Sequence, residues 1–175
     1  VLEDAAPLRI GGERVAVEAR AHLLRARDHC DALAERRGAA VVLALEPEPD
    51  GAFERVADLC GWLTELEGDR GGGTRRLGVC WDLCHAAVVE ESVADILRSL
   101  EQTGTPLGKV QVASALLAAG RLGLPARARL QAYAADPYLH QVRGRAPDGQ
   151  GRAWPDLPDF LAAPDAAEMR EVRVH

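Results

Sequence analysis

The chain has 175 residues, of which 47% are apolar, and its formal net charge at pH 7 is -6. This length and composition are typical of a globular protein with its own hydrophobic core. The negative charge disfavours a nucleic-acid partner, because a phosphate backbone would be repelled on average. No run approaches the about 18 apolar residues of a membrane span, and no charged-then-apolar leader is visible, so a cytoplasmic location is expected.

The first predicted element is a helix from Glu13 to Arg37. Its apolar or small residues recur three or four positions apart, which is the spacing of one helical face. Gly38 follows at the position where a left-handed residue commonly ends a helix. The face predicted to pack against the rest of the protein consists of Val15, Ala19, Leu23, Ala26, Cys30 and Leu33.

Residues 39–45 form an apolar, valine-rich run that is followed by Glu46. A run that is apolar on both faces is typical of a parallel strand buried inside a sheet. Asp50 is predicted to cap a second helix. The glycine-rich segment from Gly68 to Gly73 precedes a strand, whereas a phosphate-binding turn would follow one, so we interpret it as a flexible loop. The inward face of the second helix is predicted to be Phe53, Val56, Cys60 and Leu63.

A second strand is predicted from Leu77 to Trp81, because these residues are mostly apolar. Ser92 can cap a third helix, which should end near Gly104. The inward face of this helix is predicted to be Val93, Ile96, Leu97 and Leu100.

The remaining chain alternates less regularly. A short strand is predicted from Lys109 to Ala113, and Pro125 suits the first turn of a helix that continues to Tyr133. Two further strand-like segments, Tyr138 to Arg143 and Val172 to His175, are separated by a stretch rich in Pro, Gly and Asp. We interpret this last part as a hairpin-like insertion.

The alternation of strands and helices with short connections predicts right-handed βαβ units and a parallel sheet. A (β/α)8 TIM barrel and an open doubly wound sheet both fit this pattern, but no glycine fingerprint follows a strand, which weakens the dinucleotide-binding alternative. A complete barrel needs about 250 residues. Because the chain starts at Val1 and ends in a strand-like segment, we expect a single domain, residues 1–175, that is the C-terminal portion of a barrel truncated at both ends.

Polar residues stand at the carboxyl ends of the predicted strands. Glu46 ends the first strand, Asp82 ends the second with His85 three residues later, and Gln111 marks the third. His140 lies in the next strand-like segment. In parallel α/β proteins the reactive groups lie at this end of the strands, so these residues are the candidate site.

These residue types suit a divalent cation. Glu46, Asp82 and His140 offer two carboxylates and an imidazole, and Gln111 could add a carbonyl oxygen. Such donors suit Mn, Zn, Mg or Fe ions, of which Mg prefers oxygen ligands alone. A cation held there could polarise a substrate carbonyl. Glu48 has the same strand parity as Glu46, so either glutamate can face the site, and only one need be a ligand.

Structural interpretations of the same residues stay open. Glu46 can be a surface carboxylate, Gln111 a buried amide bonded to backbone, and His140 a structural histidine. The Cys80 and Cys84 pair lacks a second pair of cysteines elsewhere, which disfavours a zinc finger. No Gly-x-Ser-x-Gly motif indicates a serine hydrolase.

Four sequence blocks together resemble the EboE family of metabolite-traffic proteins, a branch of the xylose-isomerase-like TIM barrels. The blocks are LEPEP at 45–49, GVCWDLCH at 78–85, KVQVASAL at 109–116 and YLHQV at 138–142, in the family's order. The resemblance implies that Glu46 and Asp82 are metal ligands and that His85 belongs to the Asp-x-x-His arrangement of sugar epimerases. Gln111 stands where those epimerases have a histidine ligand, and the family's last glutamate is absent from this chain.

Two functions are compatible with these observations, and whether the site is catalytic stays open. The first is a metal-dependent isomerase, epimerase or related lyase acting on a small hydroxylated or carbonyl metabolite. In that enzyme His85 would orient the substrate or move a proton, and Lys109 would neutralise a developing oxyanion. The second is a non-catalytic protein that binds and escorts a metabolite, which Gln111 at a ligand position favours. The resemblance also allows operon-encoded protein partners.

Overall fold

The computed structural model describes residues 13–68, 75–120 and 124–175, which form two small sheets with flanking helices. The first sheet consists of β1 (Leu43–Leu45), β2 (Leu77–Asp82) and β3 (Leu107–Gln111), in that order. Both pairings are parallel, as the sequence predicted. The described strands form separate sheets and no closed barrel, so the (β/α)8 barrel stays a prediction.

Four helices accompany the first sheet: α1 (Glu13–Arg37), α2 (Val56–Glu67), α3 (Leu83–Val88) and α4 (Val93–Thr103). Helix α2 connects β1 to β2, and α3 with α4 connects β2 to β3, so the strands belong to consecutive βαβ units. Most of the loop predicted at Gly68 to Gly73 lies outside the described residues. The core under these helices includes Val56, Leu59, Cys60, Leu63, Leu77, Val79, Ile96 and Leu100.

Helix α1 ends as predicted. Gly38 has a positive φ of 66°, and its backbone N–H donates to the carbonyl of Ala34 at 2.8 Å. Cys30 is buried, and the other described members of the predicted inward face are half-buried, while the side chain of Val15 lies outside the described residues. Within the described ranges, no helix combines the length and the apolar character that crossing a bilayer requires.

The prediction for α4 is confirmed at its ends and partly wrong on its face. Ser92 caps the helix by accepting from the backbone N–H of Asp95, and Gly104 closes it in a left-handed conformation. Ile96 and Leu100 are buried, but Val93 and Leu97 are about half exposed, at 54% and 51%. The midpoint of Val93 and Leu97 lies only about 60° around the helix from that of the buried pair, so these two residues stand at the exposed edge of the same face.

The predicted cap of α2 is wrong. The helix begins at Val56 rather than directly after Asp50, and its first amides are bound by a residue distant in sequence. The carboxylate of Glu91 accepts from the backbone N–H of Val56 at 2.8 Å and of Ala57 at 3.1 Å. Asp50 instead accepts from the guanidinium of Arg143 at 2.9 Å. A contact across the fold thus replaces the local cap.

The second sheet is antiparallel and has the order β4-β7-β5-β6. Its strands are β4 (Leu116–Ala119), β5 (His140–Arg145), β6 (Gly151–Asp156) and β7 (Glu171–Val174). The two strand-like segments predicted near the C-terminal end are therefore β5 and β7, which pair with each other. The sequence did not predict β4 and β6. Helices α5 (Leu124–Gln131) and α6 (Leu157–Ala162) and a 3-10 turn (Ala166–Glu168) complete this part.

Polar contacts hold the two sheets together. The amide nitrogen of Gln141 in β5 donates to Glu48 Oε1 at 2.8 Å and to the carbonyl of Pro49 at 3.0 Å. Arg173 in β7 donates through Nη1 to the carbonyl of Ala87 at 2.7 Å, at the end of α3. Because these contacts involve the loop after β1 and helix α3, they fix the second sheet beside the carboxyl edge of the first.

The close approach of the parallel strands provides a test of this packing. A Cβ atom at Gly78 would lie 2.5 Å from the carbonyl oxygen of Pro106, whereas a Cβ at Gly61 in α2 would meet nothing within 4 Å. We expect Gly78→Ala to lower the free energy of unfolding by at least about 2 kcal/mol. The control Gly61→Ala should raise it by about 0.5–1 kcal/mol. Urea denaturation measures both, and equal effects would contradict this packing.

Candidate metal centre

The carboxyl edge of the parallel sheet brings the predicted site residues together. Glu46 follows β1, Asp82 ends β2, and Gln111 ends β3 in register with Asp82. Glu46, Asp82 and His85 each offer one ligand atom, and these atoms lie within 4.8 Å of one another. The convergence expected for these side chains from the strand pattern is therefore present.

Asp82 serves both the fold and the site. Its side chain caps α3, because Oδ1 accepts from the backbone N–H of Cys84 at 2.6 Å and of His85 at 3.1 Å. The second oxygen, Oδ2, accepts from the Gln111 amide nitrogen at 2.9 Å and faces the site. Asp82 is only 8% exposed, so this carboxylate is held with little freedom.

Glu46 lies at the more open side of the site, with its side chain about one-third exposed, at 33%. Its Oε1 atom is 2.7 Å from the Gln111 amide nitrogen and 3.0 Å from His85 Nδ1. Its Oε2 atom accepts from the thiol of Cys80 at 3.6 Å. Because it is partly exposed, Glu46 can adjust its position when a ligand binds.

His85 has a buried ring nitrogen, Nδ1, that makes no hydrogen bond. It is 8% exposed, and although Nδ1 lies 3.0 Å from Glu46 Oε1, the two atoms are not aligned for a hydrogen bond. A buried ring nitrogen without a partner costs free energy. Two ligands of one cation lie side by side in this way, close together but without a hydrogen bond between them. The structure thus adds His85 to the candidate ligands, and its predicted catalytic role stays a prediction.

Gln111 presents nitrogen, not oxygen, to the two carboxylates. Its Nε2 atom donates to both Glu46 and Asp82, and its Oε1 atom accepts from Lys109 Nζ at 2.7 Å. A ligand role for the Gln111 oxygen requires the amide to turn over and release Lys109. The metal role of Gln111 and the catalytic role of Lys109 therefore stay predictions, and Lys109 reaches the site through Gln111.

Two further histidines extend the site towards the second sheet. The ring of His175 lies 4.6 Å from the ring of His85, and the ring of His140 lies 5.7 Å from that of His175, between centroids. His140 is therefore not among the three close ligand atoms, and its predicted metal role is untested. Burial, with a smaller contribution from His85, lowers the pKa of His175. The position of His175 depends on the pairing of β5 with β7, because its backbone exchanges hydrogen bonds with that of His140.

The structure distinguishes the two glutamates that share strand parity. Glu46 faces Asp82 and His85, whereas Glu48 accepts from Gln141. Gln141 was not predicted as a site residue, yet it is 6% exposed and has a positive φ of 54°, which is uncommon for a residue other than glycine. No sequence signal indicates this conformation, because it depends on contacts with the loop after β1.

The two thiols near the site are not activated. Burial raises the pKa of Cys84 to about 11, with a further contribution from Asp82. Burial, together with the neighbouring Glu46 carboxylate, also raises the pKa of Cys80. Without a bound cation both thiols stay protonated at neutral pH, so neither is an activated nucleophile.

No protein-family model, no curated protein and no solved structure matches this chain.

The two roles of Asp82 can be separated by substitution. Asp82→Asn keeps an oxygen that can cap α3, so we expect most of the stability to be retained, within about 0.5 kcal/mol. Asp82→Ala removes the cap and should lower the free energy of unfolding by about 1–2 kcal/mol. Urea denaturation measures the difference. Equal losses in the two variants would show that the charge of Asp82, rather than its cap, stabilises the fold.

Proposed function

We propose that this chain binds a divalent cation through Glu46, Asp82 and His85 and acts as a metal-dependent isomerase or epimerase. Its substrate would be a small hydroxylated or carbonyl metabolite. The observation that supports this most directly is the buried, unpartnered Nδ1 of His85 beside two carboxylates, with all three ligand atoms within 4.8 Å.

The donor set fits such an ion. Two carboxylates and one imidazole suit Mn, Zn or Fe better than Mg, which prefers oxygen ligands alone. The two carboxylates repel each other, and the positive side chain of Lys109 contacts them only through Gln111. A bound divalent ion would balance this charge and would supply a Lewis acid for a substrate carbonyl.

The chain's own residues would position the substrate and stabilise charge. The ammonium of Lys109 lies at the rim of the site, where it could stabilise negative charge on a substrate oxygen. Glu48 is held by Gln141 beside the site and could accept a proton from the substrate. With these assignments, no metal ligand also has to stabilise the oxyanion or accept the proton.

Membership of the EboE branch of the xylose-isomerase-like barrels is part of the same proposal. Three consecutive parallel strands that are neighbours in space, with carboxylates after two of them, support it. The chain would then be the C-terminal portion of a (β/α)8 barrel with a function in metabolite traffic. A cytoplasmic location and operon-encoded partners belong to this proposal.

The metal proposal is tested by binding of Mn²⁺ and Co²⁺ to protein first treated with a chelator. We expect one ion per chain by elemental analysis. Glu46→Gln, Asp82→Asn and His85→Gln should each weaken binding by more than about tenfold, because loss of a ligand exceeds loss of an outer contact. The matched control is Glu48→Gln, which removes a carboxylate two residues from Glu46 and should leave affinity nearly unchanged.

Two outcomes would contradict the metal proposal. The wild-type protein could fail to bind either ion at concentrations up to about 1 mM, where affinity would be too weak to matter. Alternatively, Glu48→Gln could weaken binding as much as Glu46→Gln, which would indicate general attraction to acidic groups instead of a defined site.

A second function, binding of a metabolite without chemistry, is supported by Gln111. Its amide nitrogen already bridges Glu46 and Asp82, so the carboxylates have partners in the absence of a cation. In that case the edge of the sheet would be a polar pocket for a hydroxylated molecule.

Hydrogen exchange distinguishes the two functions. An isomerase or epimerase that works by proton transfer should incorporate deuterium next to the carbonyl of a small sugar in D₂O, and one that works by hydride shift should form the isomer without deuterium, both followed by NMR. We expect Asp82→Asn to abolish the exchange. Lys109→Gln should slow it by about 10²-fold, because Lys109 would stabilise the oxyanion. A sugar that binds saturably and shows neither exchange nor formation of an isomer would favour the escort function.

A further inference from the structure

His175 has a buried ring nitrogen that makes no hydrogen bond. This atom, Nδ1, has no partner among the described residues. The carboxylates of Asp82 and Glu48 lie near enough to act electrostatically on the ring. A buried imidazole nitrogen costs free energy unless a hydrogen-bond partner or a cation satisfies it. His175 is therefore in the same condition as His85, near the same carboxylate of Asp82.

The rings of His85 and His175 are placed as two imidazole ligands of one ion are. Their centroids lie 4.6 Å apart, and the ring planes are tilted by 44°. With about 2.0–2.1 Å between each nitrogen and the metal, two imidazoles on one ion have centroids about 4.5–5.2 Å apart for ligand angles of about 90–110°. The observed separation falls in this range. The ring of His140 lies 5.7 Å from that of His175, which is outside it.

A β-bulge holds the backbone of His175 at this position. In the ladder of β5 and β7, Val142 pairs with Val174. A regular ladder would next pair Gln141 with His175, but His140 exchanges both backbone hydrogen bonds with His175 instead. Gln141 is therefore an extra residue in β5, and its φ is positive. Bulges of this kind are common next to functional sites, where they redirect a side chain.

We propose that His175 is a fourth ligand of the metal centre and determines which cation the centre prefers. The inference rests on the proposed function, since it adds one residue to the set of Glu46, Asp82 and His85. His175 lies outside the described group of ligand atoms within 4.8 Å of one another, so its ring must turn towards Asp82 when a cation binds. Its side chain is only half-buried, which leaves room for this rotation.

A second imidazole changes the preference of the centre. Two carboxylates and two imidazoles suit Zn²⁺ and Co²⁺, whereas Mg²⁺ and Mn²⁺ prefer sites made mainly of oxygen ligands. With His85 as the one nitrogen ligand, the centre would suit Mn²⁺ as well. His175 therefore favours the ions that bind imidazole most strongly. This preference goes beyond the metal proposal, which does not distinguish among these ions.

The imidazole ligands of bound Co²⁺ can be counted by NMR. An imidazole that binds paramagnetic Co²⁺ through one nitrogen keeps a proton on the other, and this N–H signal is shifted far outside the usual range and disappears in D₂O. With Co²⁺ bound, we expect two such signals from the wild-type chain. His85→Gln and His175→Gln should each leave one signal. The matched control His140→Gln should leave both.

Affinities for two ions measure the predicted preference. His175→Gln should weaken Zn²⁺ binding by more than about tenfold and Mn²⁺ binding by less than about threefold, because Mn²⁺ accepts water in place of imidazole more readily. Glu46→Gln should weaken the binding of both ions, since it removes a ligand that both prefer. His140→Gln should leave the ratio of the two affinities unchanged.

The possible results separate this inference from the metal proposal. A single shifted signal in the wild type, two in His175→Gln or one in His140→Gln would overturn the role of His175 and leave the three-ligand centre intact. An unchanged ratio of Zn²⁺ to Mn²⁺ affinity in His175→Gln would overturn the predicted preference. Absence of any metal binding would contradict the metal proposal itself, and this inference with it. If His175→Gln does not fold, the signal counts of the wild type and His140→Gln decide the question.

Discussion

Strand β2 pairs in parallel with β1 on one side and with β3 on the other, and the site forms where these three strands end. Neighbouring parallel strands end at the same edge of a sheet, so this pairing alone brings Glu46, Asp82 and Gln111 into contact. The strands approach closely where Gly78 lacks a side chain. The consequence is electrostatic as well as geometric, because two carboxylates placed side by side need an amide donor, a proton or a cation between them.

Asp82 links this sheet to the next layer of the structure. Its Oδ1 atom caps the N-terminus of α3, and His85 lies in the first turn of that helix, beside the carboxylates. A single buried side chain therefore sets both the direction of a helix and the position of an imidazole. The two faces of β2 then have different surroundings, since Asp82 faces the polar centre and Trp81 packs in the hydrophobic core.

The second sheet forms one wall of the polar centre. Gln141 and Arg173 connect it to the loop after β1 and to α3, and this arrangement places His175 against His85. The antiparallel pairing of β5 with β7 is therefore part of the site, although its strands contribute no close ligand atom. Gln141 in β5 has a positive φ, which is unfavourable for a residue other than glycine. Its hydrogen bonds to Glu48 and to the carbonyl of Pro49 stabilise this conformation.

Features that depend on neighbouring residues could be predicted from the amino-acid sequence. Gly38, Ser92 and Gly104 end or begin helices as predicted, and the apolar runs form parallel strands with Asp82 at an end, because capping and periodicity act over a few residues. Contacts across the fold, by contrast, establish that Glu91 rather than Asp50 caps α2, that Gln111 presents nitrogen, and that His175 contacts His85. Each of these depends on a partner dozens of residues away, whose position local propensity does not specify.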